Sequence, residues 1–458
     1  MAGPFKDPPC HDLHCSGLGT VPKSDGTRRL IMHLSAPPAT SVNDCISREE
    51  FSLSYITIDD AAKLVAKHGR GALMTKVDLR SAFRLIPVRP GDRRLLSCFW
   101  KSHYYVDLAL PFGLRSAPAI FNRLADAVQY ILQHNYDIVD LLHYLDDYFT
   151  VNSASSSPAT SIAAIQKATI LTVLDNLGIP VSDSPGKVVG PTTCLTLLGI
   201  QFDSIAWEMS LPEDKLSSLR QALAAWGQRH KCTKRELLSL IGSLAFAAKV
   251  VPPGRTFTRR LIDLSTTGKH LNTVLHLTPE AQADISWWQA YLPSWNGRTL
   301  IPDLSWTRAP DFELFTDAAG TIGYGAFFQN QWINGRWSPE QSKLSLTWKE
   351  LFPIALSCRV WGSRWSQRKL LVHCDNSSVV AVMSSGTSRD PHVSHLVRDI
   401  FFSAAKYQFI IFVQHILGVA NDVADALSRL QMVRFRKLRP DADTIASQHP
   451  TPPGWWCH

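Results

Sequence analysis

Adjacent carboxylates, Asp146 and Asp147, stand between two mostly apolar runs, Ile138 to Leu142 and Tyr148 to Val151. The runs have the length and composition of short β-strands, and an Asp pair suits the turn between them. Successive strand residues point to opposite faces, so both carboxylates reach one point only where the chain bends. A hairpin tip that holds carboxylates on a rigid base suits a hard cation, which takes a few carboxylate oxygens together with phosphate oxygens. Taken alone, Asp-Asp also reads as a solvated turn. The surrounding chain decides between the two.

Upstream, Val21 to Met32 reads as strand, Asp25-Gly26 turn, strand, and its cations Lys23, Arg28 and Arg29 suit a triphosphate. A solvated hairpin is the plainer alternative. Ile58 to His68 has the pattern of an amphipathic helix. Ala72 to Asp78 is an apolar strand that ends in an acid, one way of placing a metal ligand at a sheet edge; Asp78 also reads as a cap. Phe99 to Leu110 alternates like a strand pair. Leu110-Pro111-Phe112-Gly113-Leu114-Arg115-Ser116-Ala117-Pro118 is a loop entering a helix that runs to about Leu132. At Gly113 its backbone can approach a ligand closely.

Downstream, Ser153 to Thr160 reads as a loop, Ile162 to Leu177 as a helix, and Pro212 to Arg260 as helical and basic. Between Arg229 and Arg260, the cations Arg229, Lys231, Lys234, Arg235, Lys249, Arg255, Arg259 and Arg260 stand against a single acid, Glu236. Such a run is a phosphate-binding surface or a solvated helix face. Gly242 to Ala248 suits helix packing; Trp287, Trp288 and Trp295 suit a core, before a Pro/Gly/Asn-rich link over 293–310. Then four acids follow in strand, helix, strand and helix: Asp317 in Phe312 to Gly320, Glu350 in Thr347 to Phe352, Asp375 after Lys369 to Cys374, and Asp425 in a helix behind the Gly418 loop. Each alone reads as a cap or surface acid; together they can converge on two metal ions.

At 458 residues the chain holds two to four domains, and 45% apolar with 19% charged residues excludes general disorder. The net charge of +8 favours an anionic partner such as nucleic acid. No apolar run nears the roughly 18 residues of a membrane span, and Met1 to Pro9 has no signal-peptide pattern. Nine scattered cysteines fit a reducing compartment. Cys10, His11, His14 and Cys15 match no standard zinc finger. After Arg429 come Arg434-Phe435-Arg436-Lys437-Leu438-Arg439-Pro440 and a Pro-rich end, with little fixed structure expected from about residue 440.

The strand ending in Asp78, the Leu110 to Pro118 loop and Tyr144-Leu145-Asp146-Asp147 resemble, in order and spacing, the polymerase motifs of reverse transcriptases. Leu174 to Lys187 and Leu197-Leu198-Gly199-Ile200 resemble the two motifs that follow. The wording is similar to gypsy-type long-terminal-repeat elements and closest to DIRS-like tyrosine-recombinase retrotransposons. It rests on Arg29-Leu30-Ile31 with Ser41-Val42-Asn43-Asp44, and on His143 to Asp147. The resemblance implies that Asp78 and Asp146, with Asp147 beside them, ligate two Mg²⁺ ions, Mn²⁺ being an alternative. It implies that Lys23 and Arg29 bind the triphosphate, that Phe112 and Gly113 line the nucleotide site, and that Lys187 protonates pyrophosphate. Phe83, five residues after Asp78, would exclude a 2′-hydroxyl.

The second acid set resembles the Asp-Glu-Asp-Asp set of ribonuclease H: Asp317, Glu350, Asp375 and Asp425, again over two Mg²⁺. His415, ten positions before Asp425, matches that family's mobile-loop His, and Asn421 also fits; Leu417 stands where the family usually has Pro. The fold expected is α/β (α+β): a right-hand polymerase with fingers, palm and thumb, then a ribonuclease H-like domain with a mixed five-stranded sheet. The expected parts are an N-terminal extension (1–20), fingers and palm (21–204), a helical, basic thumb or connection (205–300), the ribonuclease H-like domain (311–432) and a Pro-rich tail (433–458). The expected function is RNA-directed DNA synthesis with degradation of the RNA strand. Its partners would be RNA template, primer-template duplex, RNA–DNA hybrid, deoxynucleoside triphosphates and an element-encoded recombinase or integrase, in the cytoplasm or nucleus and without a membrane. The rivals are a decayed or host-adopted copy that only binds nucleic acid, which the six intact acids disfavour, and an RNA-dependent RNA polymerase, which Phe83 disfavours.

Overall fold

The computed structural model describes residues 1–22, 26–157, 160–295, 299–300, 312–366, 368–407 and 409–448. They form an α/β structure of two compact units, Met1–Glu208 and Met209–His458.

The first unit is built on a four-stranded antiparallel sheet, in the order Leu141–Tyr144, Asp147–Asn152, Leu73–Asp78, Val188–Thr192. Helix Ala117–Asn135 presents Phe121, Ala125, Val128 and Leu132, all buried, at the three-and-four spacing of one helical face. They close a core with Val77, Tyr148, Ile170, Val173 and Leu174. Helix Ile58–His68 starts on a capping box, Thr57 with Asp60, and stops at Gly69 in the left-handed region (φ 78).

Strands Gly17–Pro22 and Arg28–His33 form the expected cationic hairpin, with Val21 opposite Arg29. Its first strand starts four residues before position 21. Nor are residues 1–20 an appendage. Ala2–Phe5 pairs antiparallel with His103–Val106, which pairs with Ser97–Trp100. Ser97 Oγ donates to the His14 carbonyl at 2.7 Å, and Ser16 N–H to the Ser97 carbonyl at 2.8 Å. Backbone hydrogen bonds, which no side-chain pattern advertises, bind this segment in.

In the second unit the basic segment is not continuously helical. Helix Glu213–Gly227 is followed by strand Lys231–Thr233, paired with Val274–His276, before helix Lys234–Ala247 begins on the Thr233–Glu236 capping box. Leu244, Ala247 and Ala248 are buried, while Gly242, Ser243 and Ala245 face outward, so only part of Gly242 to Ala248 packs. Trp287 and Trp288 are buried as expected; Trp295 lies outside the residues whose side chains are described.

The five-stranded sheet is mixed, in the order Gln331–Arg336, Gly323–Phe328, Phe312–Ala319, Lys369–Cys374, Ile410–His415. Its first two pairings are antiparallel and its last two parallel. Helix Leu346–Trp361 is buried on nearly every side against it. Helix Pro391–Tyr407 joins this layer to the preceding helices: Arg398 meets the fully buried Asp284 at 2.6 Å and lies over the Phe257 ring at 4.3 Å.

Order continues past residue 440, against expectation. Helix Met432–Leu438 buries Phe435 beside Trp332 and Phe327. Arg436 donates to the carbonyls of Ala442, Asp443 and Thr444, Trp332 Nε1 to that of Asp443 at 2.7 Å, and Ser447 N–H to the Trp332 carbonyl. Residues 449–458 lie outside the described residues.

Candidate functional site

Antiparallel register assembles the first acid cluster. Asp78, the last residue of its strand, stands opposite Asp147. Asp147 also pairs with Tyr144, so the two-residue turn is Leu145-Asp146 and not the Asp pair itself. Leu145 takes φ 52, a left-handed conformation uncommon for a bulky residue and often found at functional turns. The bend sets Asp146 close enough to Asp78 and Asp147 to act on them electrostatically, and Leu79 N–H donates to the Asp146 carbonyl at 2.9 Å.

The carboxylates are crowded and poorly solvated. Burial raises the Asp146 pKa, with Asp78 adding to it. Asp147 is pushed up to about 7 by burial, opposed by Lys76 and reinforced by Asp78 and Asp146. Asp147 Oδ1 is buried without a hydrogen-bond partner. Lys187 donates to Asp78 Oδ2 at 2.6 Å; burial disfavours its charge, but Asp78 outweighs burial and raises its pKa. Three electrostatically coupled carboxylates with an unsatisfied oxygen suit a divalent cation.

Beside the acids runs a line of rings. The Arg29 guanidinium carbon lies 4.6 Å from the Phe112 centroid, and Phe112 stands 5.2 Å from Phe83, which meets Phe121 at 5.8 Å. Arg29 also acts electrostatically on Asp146. Lys23 lies outside the described residues. Gly113 departs from expectation: at φ 107, a Cβ there would sit 2.0 Å from the Met32 carbonyl oxygen. The glycine makes room for the neighbouring hairpin, whose Met32 N–H donates to the Phe112 carbonyl at 2.9 Å. Asn43, quoted from sequence only as part of a resembling phrase, is buried and fixes this loop by donating to the Gly113 carbonyl and accepting from Arg115 N–H. Lys76 was missed as well, because its effect on Asp147 crosses a strand pairing.

The second cluster has Asp317 in strand Phe312–Ala319, Glu350 in helix Leu346–Trp361, Asp375 just past strand Lys369–Cys374, and Asp425 in helix Asp422–Ser428. Ligand atoms of Glu350, Cys374 and Asp375 all lie within 4.8 Å of one another. Burial pushes Glu350 up to about 9, helped by Asp317 and Asp375. Burial also raises Asp317, although Ser428 Oγ donates to its Oδ2. Asp425 goes the other way: Arg429 Nε and an Arg434 guanidinium nitrogen, each at 2.6 Å, outweigh its burial and hold its pKa down. His415 is the last, exposed residue of strand Ile410–His415, opposite Cys374, rather than a residue of the following loop. That loop passes close to the acids: a Cβ on Gly418 would sit 3.4 Å from Asp375 Oδ2. Asn421 is buried and donates to the Thr316 carbonyl at 2.9 Å, bracing the strand that carries Asp317. Of the residues not foreseen, Arg429 was detectable as an i,i+4 partner of Asp425. Arg434, Ser428 and Cys374 carried no such mark.

Residues 21–202 match the family model for the reverse transcriptase (RNA-dependent DNA polymerase). The Transposon Tf2-3 polyprotein of Schizosaccharomyces pombe (strain 972 / ATCC 24843) is 28% identical over 137 residues, 30% of this chain and 9% of the polyprotein. The Transposon Tf2-7 polyprotein of the same organism is 30% identical over 108 residues, 24% of this chain and 7% of the polyprotein. The match therefore spans under a tenth of these relatives' length. Among solved structures, a foamy viral protease-reverse transcriptase in complex with dsDNA is similar at a TM-score of 0.50 and 16% identity, over 88% of this chain and 78% of that chain. A second, the dRH form in complex with ds DNA, gives 0.51 and 15%, over 88% and 66%. At such identities the likeness is one of α/β fold alone.

Proposed function

We propose, from the premise that residues 21–202 form a reverse transcriptase domain, that this chain is the RNA-directed DNA polymerase of a retrotransposon and carries a ribonuclease H centre in its second unit. The observation that carries the polymerase reading is the register that sets Asp78 against Asp147 with Asp146 at the turn, beside Arg29, Phe112 and Phe83. In each centre a buried carboxylate oxygen without a partner, on Asp147 and on Glu350, supports a divalent-cation site.

Asp78, Asp146 and Asp147 would hold the ions of the polymerase centre, and Asp317, Glu350, Asp375 and Asp425 those of the nuclease centre. When bound, Mg²⁺ (two per site, or Mn²⁺) supplies Lewis-acid stabilisation of the attacking and leaving oxygens. Arg29 and Lys23 would grip the β- and γ-phosphates, where cations stabilise developing charge. Lys187, kept protonated beside Asp78, would give a proton to the departing pyrophosphate. The Phe83 ring would fill the space of a 2′-hydroxyl. His415, exposed at the head of the Gly418 loop, would assist release of the cleaved strand.

The similar foamy viral structures are described in complex with double-stranded DNA. The ligands we propose here are RNA template, primer-template duplex, hybrid and deoxynucleoside triphosphates. A DIRS-like affiliation, an element-encoded recombinase or integrase as partner, and a cytoplasmic or nuclear site of action belong to the same proposal. Purified protein should extend a DNA primer on an RNA template only with Mg²⁺ or Mn²⁺, and should cleave the hybrid in the same tube. Tight nucleic-acid binding with neither activity would leave the rival, a non-catalytic binding protein.

A further inference from the structure

Cys374 is a thiol inside the second acid cluster for which the proposed reaction has no use. It ends strand Lys369–Cys374 and is fully buried. Strand alternation turns it to the same face as Val372 and Leu370. Its Sγ and one carboxylate oxygen each from Glu350 and Asp375 lie within 4.8 Å of one another. Glu350 is only 5% exposed, and its Oε2 has no hydrogen-bond partner. A buried carboxylate that carries an unsatisfied oxygen therefore lies beside a buried sulfur.

Hard Mg²⁺ takes oxygen ligands and leaves the sulfur idle, whereas thiolates select softer ions. A tetrahedral ion with Zn–S of about 2.3 Å and Zn–O of about 2.0–2.2 Å separates its ligand atoms by about 3.5 Å. The observed separations exceed that by about 1.3 Å at most. We infer that Glu350, Cys374 and Asp375 form a site for a thiophilic divalent cation, Zn²⁺ or Cd²⁺, in competition with Mg²⁺. The inference deepens the nuclease reading and rests on it for its consequence: an ion held by these three ligands occupies two of the acids that Mg²⁺ requires and silences hybrid cleavage. On binding, the Cys374 S–H and Glu350 O–H bonds break, the freed lone pairs on sulfur and oxygen form the bonds to the metal, and both protons leave to solvent.

The test uses full-length protein stripped with chelator and titrated with Cd²⁺, read by the ultraviolet thiolate-to-Cd²⁺ charge-transfer band. Cys10 and Cys15 are exposed and add to that band, so wild type is read against Cys374→Ala. The contribution of one sulfur should be missing from Cys374→Ala. In Glu350→Gln, with the thiol intact, that contribution should require at least tenfold more Cd²⁺. In wild type, excess Mg²⁺ should displace it. Identical bands in wild type and Cys374→Ala, a Glu350→Gln titration matching wild type, or indifference to Mg²⁺ would each overturn the site. Absence of Mg²⁺-dependent hybrid cleavage with the Cd²⁺ difference intact would sink the nuclease reading and leave this inference standing.

Discussion

Burial holds the Glu350 carboxyl protonated up to about pH 9, with Asp317 and Asp375 reinforcing it. In the unfolded chain the same group ionises near 4.5. Between those values the unfolded state binds fewer protons than the folded one, so metal-free stability falls as pH rises. Glu350→Gln cannot ionise and removes that slope. In chelator at pH 8 it should be more stable than wild type by on the order of 2–4 kcal/mol, at about 1.4 kcal/mol per pKa unit less screening, and nearly equal near pH 5. Urea unfolding at the two pH values measures this; parallel pH dependence would mean that Glu350 is not neutral in the fold. Saturating Mg²⁺ should reverse the order, because the cation stabilises the ionised form that Gln lacks. Phe83 allows a second residue-scale test. Its ring is half-buried between Phe112 and Phe121, so Phe83→Val opens space without adding a polar group. Ribonucleotide incorporation should rise about tenfold, about 1.4 kcal/mol of lost discrimination, with a modest fall in deoxynucleotide use. An unchanged ribo-to-deoxy ratio in active enzyme would return Phe83 to plain packing.

At the scale of elements, the segment behind helix Met432–Leu438 is tied back in part by one side chain. Arg436 donates to three carbonyls, those of Ala442, Asp443 and Thr444. Charged hydrogen bonds contribute roughly 1.5–3 kcal/mol each when buried and less when exposed. Arg436→Ala should therefore loosen the segment and speed amide exchange at Ser447, whose N–H is bonded to the Trp332 carbonyl, by at least tenfold. Unchanged exchange would mean that Trp332 and Phe435 hold it alone. The sequence gives no hint of this clasp, because an exposed Arg before a Pro-rich stretch looks like solvated charge. The Ala2–Phe5 strand was hidden for a related reason: Gly3 and Pro4 lack strand propensity, and only backbone pairing fixes it. What was legible is what repeats locally. The Asp146–Asp147 hairpin, helix Ile58–His68 and the strands that carry Asp317 and lead into Asp375 are written within a few residues of themselves. Asp78 against Asp147, Ser428 on Asp317 and Arg434 on Asp425 need tertiary register, which no window of sequence contains.

At the scale of the whole molecule, the acids divide between two units. Asp78, Asp146 and Asp147 lie within Met1–Glu208, and Asp317, Glu350, Asp375 and Asp425 within Met209–His458. Each set has its own buried, unpaired oxygen and its own cations: Lys187 on Asp78 in one, Arg429 and Arg434 on Asp425 in the other. Among the described residues, the groups that most shift each set's carboxylates lie in that set's own unit. Asp146→Asn keeps size and shape, removes one ligand charge and relieves repulsion on Asp147, so the protein should fold at least as well without metal. It should stop primer extension, by about a thousandfold or more if two-metal clamping supplies several kcal/mol, while hybrid cleavage stays within about twofold of wild type. Asp317→Asn should do the reverse. Running both variants on one labelled hybrid primer-template, with far-ultraviolet circular dichroism to confirm folding, reads extension and cleavage together. A folded Asp146→Asn protein that lost both activities would tie cleavage to the polymerase acids and refute two independent centres. A folded Asp317→Asn protein that still cut the hybrid would take that strand acid out of the nuclease set.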